Sequence, residues 1–243
     1  LQSRGLGDVY KRQEHYYDIT GTFTYLTLVA VGTALAAGGD PRAFILAALV
    51  TVWAARLGSF LFARIKRDGR DTRFDRIKPN FFAFLLTWTL QGLWVLLTFA
   101  CGLAAITAET KVPLGPVGFL GIAIWLFGFA IEVVADRQKQ VFRADPANRE
   151  RFITTGLWAW SRHPNYFGEI VLWTGIAVLA LPALSGWQYV TLISPVFVAF
   201  LLIRVSGVAM LEPIGQRRWG DDPAYQAYVE RTPMLVPRPP SGA

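Results

Sequence analysis

The chain has 243 residues, of which 53% are hydrophobic and only 17% charged, and a mean hydropathy of +0.36; ordinary soluble domains are less apolar than this. One cysteine, Cys101, excludes a disulfide framework or a cysteine metal cluster, and two histidines, His15 and His163, exclude a multi-histidine iron or zinc centre. The net charge of +7 is spread over segments between apolar runs, which points to lipid headgroups and membrane orientation and away from nucleic acid.

Leu1–Gln13 comes first, and within it Ser3–Gln13 resembles a translated sequencing-adapter read. It has no apolar core, so it is not a signal peptide, and we expect residues 1–13 to be a non-native segment. A bilayer core takes about 20 apolar residues per helix. Six windows reach that length: Gly21–Gly38, Ala43–Ala63, Phe81–Thr107, Val117–Ala135, Tyr166–Leu184 and Trp187–Ala209. They predict an all-α, polytopic integral membrane bundle with six spans. All the Lys and Arg residues except Arg42, Arg56 and Lys111 then fall on one side, which places both termini in the cytoplasm.

Asp18 and the tyrosines around it open the first span, where the carboxylate is either functional or an interfacial N-cap. Gly38-Gly39-Asp40-Pro41 turns the chain into the second span, which carries Trp53 and Arg56. The mixed charges of Arg64–Arg76 predict an ordered interfacial loop. Gln91-Gly92 is a polar pair inside the third span. The fourth span is expected to continue as helix beyond the membrane until Asp145-Pro146. Along it Glu132, Asp136, Gln140 and Arg143 share one helix face. Asp136 either binds a ligand or pairs with Arg143.

Trp160-Ser-Arg-His-Pro-Asn-Tyr-Phe-Gly-Glu169 then leads directly into an apolar run. Polar groups at the edge of hydrocarbon are costly and are usually kept for a ligand or an ion path. We therefore place a binding site for a charged cofactor here. Asn165 and Glu169 lie one turn apart; Asn165 as N-cap, with Glu169 beside the positive helix end, is the structural alternative. His163 reads as structural. After the sixth span come Glu212-Pro213, a short helix and an extended Pro-rich tail.

Several stretches together resemble the membrane steroid 5α-reductases and their bacterial relatives, over nearly all of Tyr16–Pro237. They are Trp53-Ala-Ala-Arg56-Leu, Arg64, Asp71-Thr-Arg73-Phe and Leu90-Gln91-Gly92, then Asp136, Arg143, Arg151 and Arg162-His-Pro-Asn165-Tyr-Phe-Gly168-Glu169. The resemblance implies an NADPH-dependent enzyme of the bacterial inner membrane. Such an enzyme reduces a carbon–carbon double bond conjugated to a ketone in a lipophilic substrate, as in a 3-oxo-Δ4 steroid giving a 3-oxo-5α-steroid. It implies one membrane domain over 14–243, with a substrate half at about 14–112 and a cofactor half at about 113–243. The hydride donor is expected where these halves meet, in a monomer.

By matching position, the cofactor residues include Asp136, Arg143, Arg151, Asn165 and Glu169, and we add Glu132, Arg162, Tyr166, Arg204 and Tyr225. Arg suits phosphate because its planar fork binds bidentately, although positive-inside topology explains part of the basic charge. The family's catalytic acid falls close to Asp18, with Tyr17 beside it. Tyr16, Trp53, Arg56 and Gln91 are assigned to the substrate, and no residue to a metal. Two positions depart from the pattern: Trp53 stands where the family holds a Tyr, and Glu132 where the steroid reductases have Asn. The family also carries one more span ahead of the acidic residue, which would make seven and suggests a truncated gene model.

The Arg-His-Pro-Asn-Tyr block also resembles sterol C14 reductases and isoprenylcysteine or phospholipid methyltransferases. The alternative function is therefore an S-adenosylmethionine-dependent lipid methyltransferase. A non-catalytic membrane scaffold is a third.

Overall fold

The structure is a computed structural model that describes residues 16–36, 40–68, 79–109 and 111–240, the side chains of 64–68 excepted. The expectations for Leu1–Gln13, for Gly38-Gly39 and for most of Arg64–Arg76 lie outside the described residues. Within them the chain is all-helical, with no strand. The long helices are α1 (Tyr17–Leu35), α2 (Pro41–Asp68), α3 (Phe81–Ile106), α4 (Pro116–Ala144) and α5 (Pro164–Ala180). Shorter α6 (Ser194–Phe200), α7 (Val208–Trp219) and α8 (Pro223–Arg231) follow. Six segments of 19 to 34 residues are long and apolar enough to cross a membrane, so this is an integral multi-pass membrane protein.

Local chemistry sets several ends. Asn80 caps α3 by accepting from the Ala83 N–H at 3.0 Å. Pro116 and Pro164 start α4 and α5, where a missing N–H costs nothing. As expected, α4 runs on until Asp145-Pro146. The cap of α5 is corrected: His163 occupies the N-cap, and Asn165 lies inside the first turn.

The sixth apolar segment also departs from expectation. It is not one continuous α-helix. Gly186–Ile193 winds as a 3-10 helix, α6 follows, and Leu201–Val205 forms a π-turn. A break at Ser206-Gly207 then precedes α7. Mean hydropathy gave no sign of this, although Ser194-Pro195 and Arg204-Val-Ser-Gly207 stand near the changes of winding. Pro213 lies within α7.

The chain divides into two compact units, one reaching Pro113 and including Ala183–Thr191, the other made of Leu114–Pro182 and Leu192 onward. In the first unit α1 packs on both α2 and α3. Tyr25 meets Trp53 edge-on at 5.0 Å, and Tyr17 meets Trp88 at 5.3 Å. Arg42, fully buried at the start of α2, donates to the Pro113 carbonyl at 2.9 Å and to Val112 at 3.3 Å. It thereby satisfies two carbonyls in the chain that leads to α4.

The second unit is built on α4 and α5, which touch backbone to backbone. Gly121 and Gly128 on α4 face Gly168 and Gly175 on α5. A Cβ at any of the four would fall 2.5–2.6 Å from a backbone atom of the other helix. Seven-residue spacing on each helix keeps both pairs on one seam. In lipid, where burial of apolar surface between helices gains little, such close approach supplies the packing.

Candidate functional site

The glycine seam fixes what lies at its end. Gly168 packs on the backbone of Glu132, one turn above Asp136 on α4. Glu132 and Asp136 are 2% and 6% exposed. Asn165, in the first turn of α5, donates from Nδ2 to Asp136 Oδ1 at 3.2 Å. Its own Oδ1 is buried and has no partner among the described residues. Two carboxyl groups and a carboxamide thus converge in the interior of one helix pair. Glu169 follows on α5, half-buried.

A second group adjoins the start of α5. Glu212 on α7 accepts from Arg162 Nη1, and its other oxygen lies 2.7 Å from His163 Nε2. The ring of Tyr166 stacks on His163 with centroids 5.5 Å apart. Gly207 lies against that ring, since a Cβ there would come within 2.8 Å of it. Arg162 Nε and His163 Nδ1 are buried without a partner among the described residues. One carboxylate between two nitrogen bases holds both in place and neutralises the Arg162 charge. Sequence reasoning missed Glu212 as part of this group. Its only signal was a carboxylate within an otherwise apolar stretch, just ahead of Pro213.

The remaining assigned residues are more dispersed. Arg143 donates to the carbonyls of Asn148 and Arg149 and lies over the rim of Trp219. Arg151 is exposed on the following loop, and Arg204 is exposed on the π-turn. Tyr225 is buried on α8 among Phe152 and Trp219, its hydroxyl against Gly215. Burial and the Glu212 charge push its phenol above the ordinary value. Tyr228, one turn on, donates to the Trp158 carbonyl at 2.8 Å, and burial pushes its phenol further up. At the surface of the same unit, the hydrogen bond from Arg218 holds the Glu150 carboxyl below the ordinary range.

An open groove of about 510 Å³ lies along the far end of α4, lined by Arg137, Gln138, Phe142, Asn148 and Gly156 among others. Gly156 adopts φ +62° there, with the Gln138 side chain packed against it and bonded to the Leu157 N–H at 2.9 Å.

In the first unit, Tyr17 is buried in the first turn of α1. Gln91 is buried too and donates to the Tyr17 carbonyl at 2.7 Å. Asp18, half-buried, follows in that turn. Trp53 is buried on α2, and Arg56, half-buried, lies over the Phe60 ring at 5.4 Å. Tyr16 is 58% exposed.

Fold and site together define a helical integral membrane protein with a buried carboxylate–carboxamide group at the end of one tightly packed helix pair. The chain belongs to the family described as "Protein of unknown function (DUF1295)", whose model matches residues 7–232. It is 24% identical to an uncharacterised protein of Schizosaccharomyces pombe over 81% of this chain and 64% of that protein. It is 34% identical over 110 residues to a Delta(14)-sterol reductase of Ascobolus immersus, covering 35% of this chain and 26% of the reductase. The chain thus spans less than two thirds of the length of either relative. No solved structure matches it.

Proposed function

We propose that the protein is a membrane reductase of a lipophilic substrate, using NADPH to reduce a carbon–carbon double bond conjugated to a ketone, with a 3-oxo-Δ4 steroid as the model substrate. The observation that carries this reading is the 34% identity with the sterol reductase. Membrane spans suit a substrate that partitions into lipid.

The residues at the start of α5 fit a nucleotide. Asn165 Oδ1, Arg162 Nε and His163 Nδ1 are buried polar atoms still open to a partner, and leaving such atoms unmatched costs about 1–3 kcal/mol each. NADPH, when bound, supplies a hydride to the β-carbon of the conjugated bond. Asn165 would accept from the nicotinamide amide or a ribose hydroxyl, held in orientation by Asp136. Glu132, Glu169 and Tyr166 belong to the same site. Arg151, exposed on its loop, is assigned to a phosphate, with Arg143, Arg204 and Tyr225 assigned to the rest of the cofactor. Reduction leaves negative charge on the carbonyl oxygen, and a hydrogen-bond donor there lowers the barrier. We assign that donor to Asp18 in its carboxylic acid form, since a carboxylate only accepts, with Tyr17 beside it, and the substrate lining to Tyr16, Trp53, Arg56 and Gln91. On the positive-inside rule the termini are cytoplasmic.

The test uses protein in detergent with NADPH, NADH or S-adenosylmethionine. At 100 times its dissociation constant NADPH should add about 2.7 kcal/mol of stability. Stabilisation by S-adenosylmethionine alone would replace this reading with the methyltransferase one. Arg151→Ala should weaken NADPH more than NADH if it holds the 2′-phosphate; equal losses reject that role.

A further inference from the structure

The segment that follows α8 is held by hydrogen bonds. Beyond α8, Pro233–Arg238 runs antiparallel to Trp160–Arg162. Arg162 N–H donates to the Pro233 carbonyl, and Arg238 N–H to the Trp160 carbonyl, both at 2.9 Å. Between them Ser161, fully buried, donates from Oγ to the Leu235 carbonyl at 2.8 Å and accepts the His163 N–H at 3.1 Å. Just upstream, Tyr228 grips the Trp158 carbonyl. Alternate residues 158, 160 and 162 are therefore each held by the C-terminal segment.

The composition of the tail suits this role. Pro233, Pro237, Pro239 and Pro240 restrict φ, so the segment loses little entropy on docking. None of the bonds it makes needs a proline N–H. The positive charge of Arg162 and the ring of His163 are both set by backbone that the tail holds, and both end on Glu212.

We propose that Thr232–Arg238 is a strap that positions Arg162 and His163, and that Ser161 is the positioning residue through which the strap reaches His163. Its effect on cofactor affinity rests on the reading under Proposed function; its effect on the His163–Glu212 hydrogen bond does not. Its hydrogen bonds given above go to the backbone of Trp160 and Arg162 and to the Ser161 hydroxyl, and so fix the backbone that aims the guanidinium and the imidazole at Glu212.

The experiment uses full-length chain in four variants. Ser161→Ala removes the bridging hydroxyl and Ser161→Thr restores it. Arg238→Pro removes a side chain and the strap's N–H, whereas Arg238→Ala removes the side chain alone. Two quantities are read: the dissociation constant for NADPH, and the imidazole resonances of ¹⁵N-histidine-labelled protein, which report the His163–Glu212 hydrogen bond. Ser161→Ala and Arg238→Pro should alter the His163 resonances and weaken NADPH about five- to tenfold, the loss expected for one hydrogen bond. Ser161→Thr and Arg238→Ala should resemble the parent in both. Unchanged resonances in Ser161→Ala and Arg238→Pro overturn the strap. Altered resonances with unchanged NADPH affinity overturn its link to the site. If the parent binds no NADPH, the reductase reading fails, and the histidine resonances alone decide whether the strap exists.

Discussion

The two units solve helix packing in lipid differently, and the difference shows at their glycines. In the first unit a Cβ added at Gly21 or Gly32 would meet the flexible side chains of Gln91 or Leu103, whereas at Gly58 it would meet the fixed Cβ of Thr22 at 2.8 Å. In the second, a Cβ at Gly121, Gly128, Gly168 or Gly175 would meet backbone. Side chains can rotate away; a helix backbone must translate. At these seam glycines the second unit is thus the less forgiving one, and the buried Glu132 and Asp136, with the half-buried Asn165, lie at the end of its seam. Rigid backbone contact holds polar groups in register where water cannot screen an error.

Substitutions can break or sharpen this contrast. The largest effect is expected from Gly128→Leu, which must push α4 and α5 apart. Thermal unfolding in detergent should show a loss of more than about 3 kcal/mol, or no folded protein. A loss under 1 kcal/mol would show that the seam is not tight. Tyr228→Phe, in the same unit, should cost about 1–2 kcal/mol by leaving the Trp158 carbonyl unmatched. The raised phenol of Tyr228 contributes stability below the ordinary tyrosine value of about 10, and that contribution is lost as pH rises toward the folded value. The variant should therefore lose less stability than the parent above about pH 10.

Smaller effects belong to the first unit. Gly32→Ala meets the Leu103 methyl at 2.9 Å, the far end of a flexible side chain, so it should cost at most about 1 kcal/mol. Gly92→Ala meets nothing within 4 Å and should be neutral or stabilising by up to about 1 kcal/mol. If Gly32→Ala proved as damaging as Gly128→Leu, the contrast between the units would be lost.

Hydropathy alone located all six candidate spans, because a helix that crosses lipid must be long and apolar. The juxtaposition of Asp136 with Asn165 was partly legible as well: the 3.6-residue period put Glu132 and Asp136 on one face, and a polar motif opened the next apolar run. The glycine seam that brings these faces together was overlooked, although its seven-residue spacing stands in the sequence. Glu212 was hidden for another reason. Its partners are set by the break after Leu201–Val205; Arg204 and Ser206-Gly207 stand at that break in the sequence, but hydropathy averaged over a whole span does not resolve a change of winding. The strap was equally invisible, since its backbone hydrogen bonds leave no trace in side-chain chemistry.

The interruption at Ser206-Gly207 has a wider consequence. Leu201 O takes both the N–H and the hydroxyl of Ser206, so the turn closes on itself. α7 then starts afresh after Gly207, whose carbonyl is taken up by α7's own first turn. An acidic side chain can therefore be delivered to a polar partner by a segment whose earlier part is anchored in oil. The glycine that permits the bend also rests on Tyr166, so the joint and the ring beside His163 have to change together.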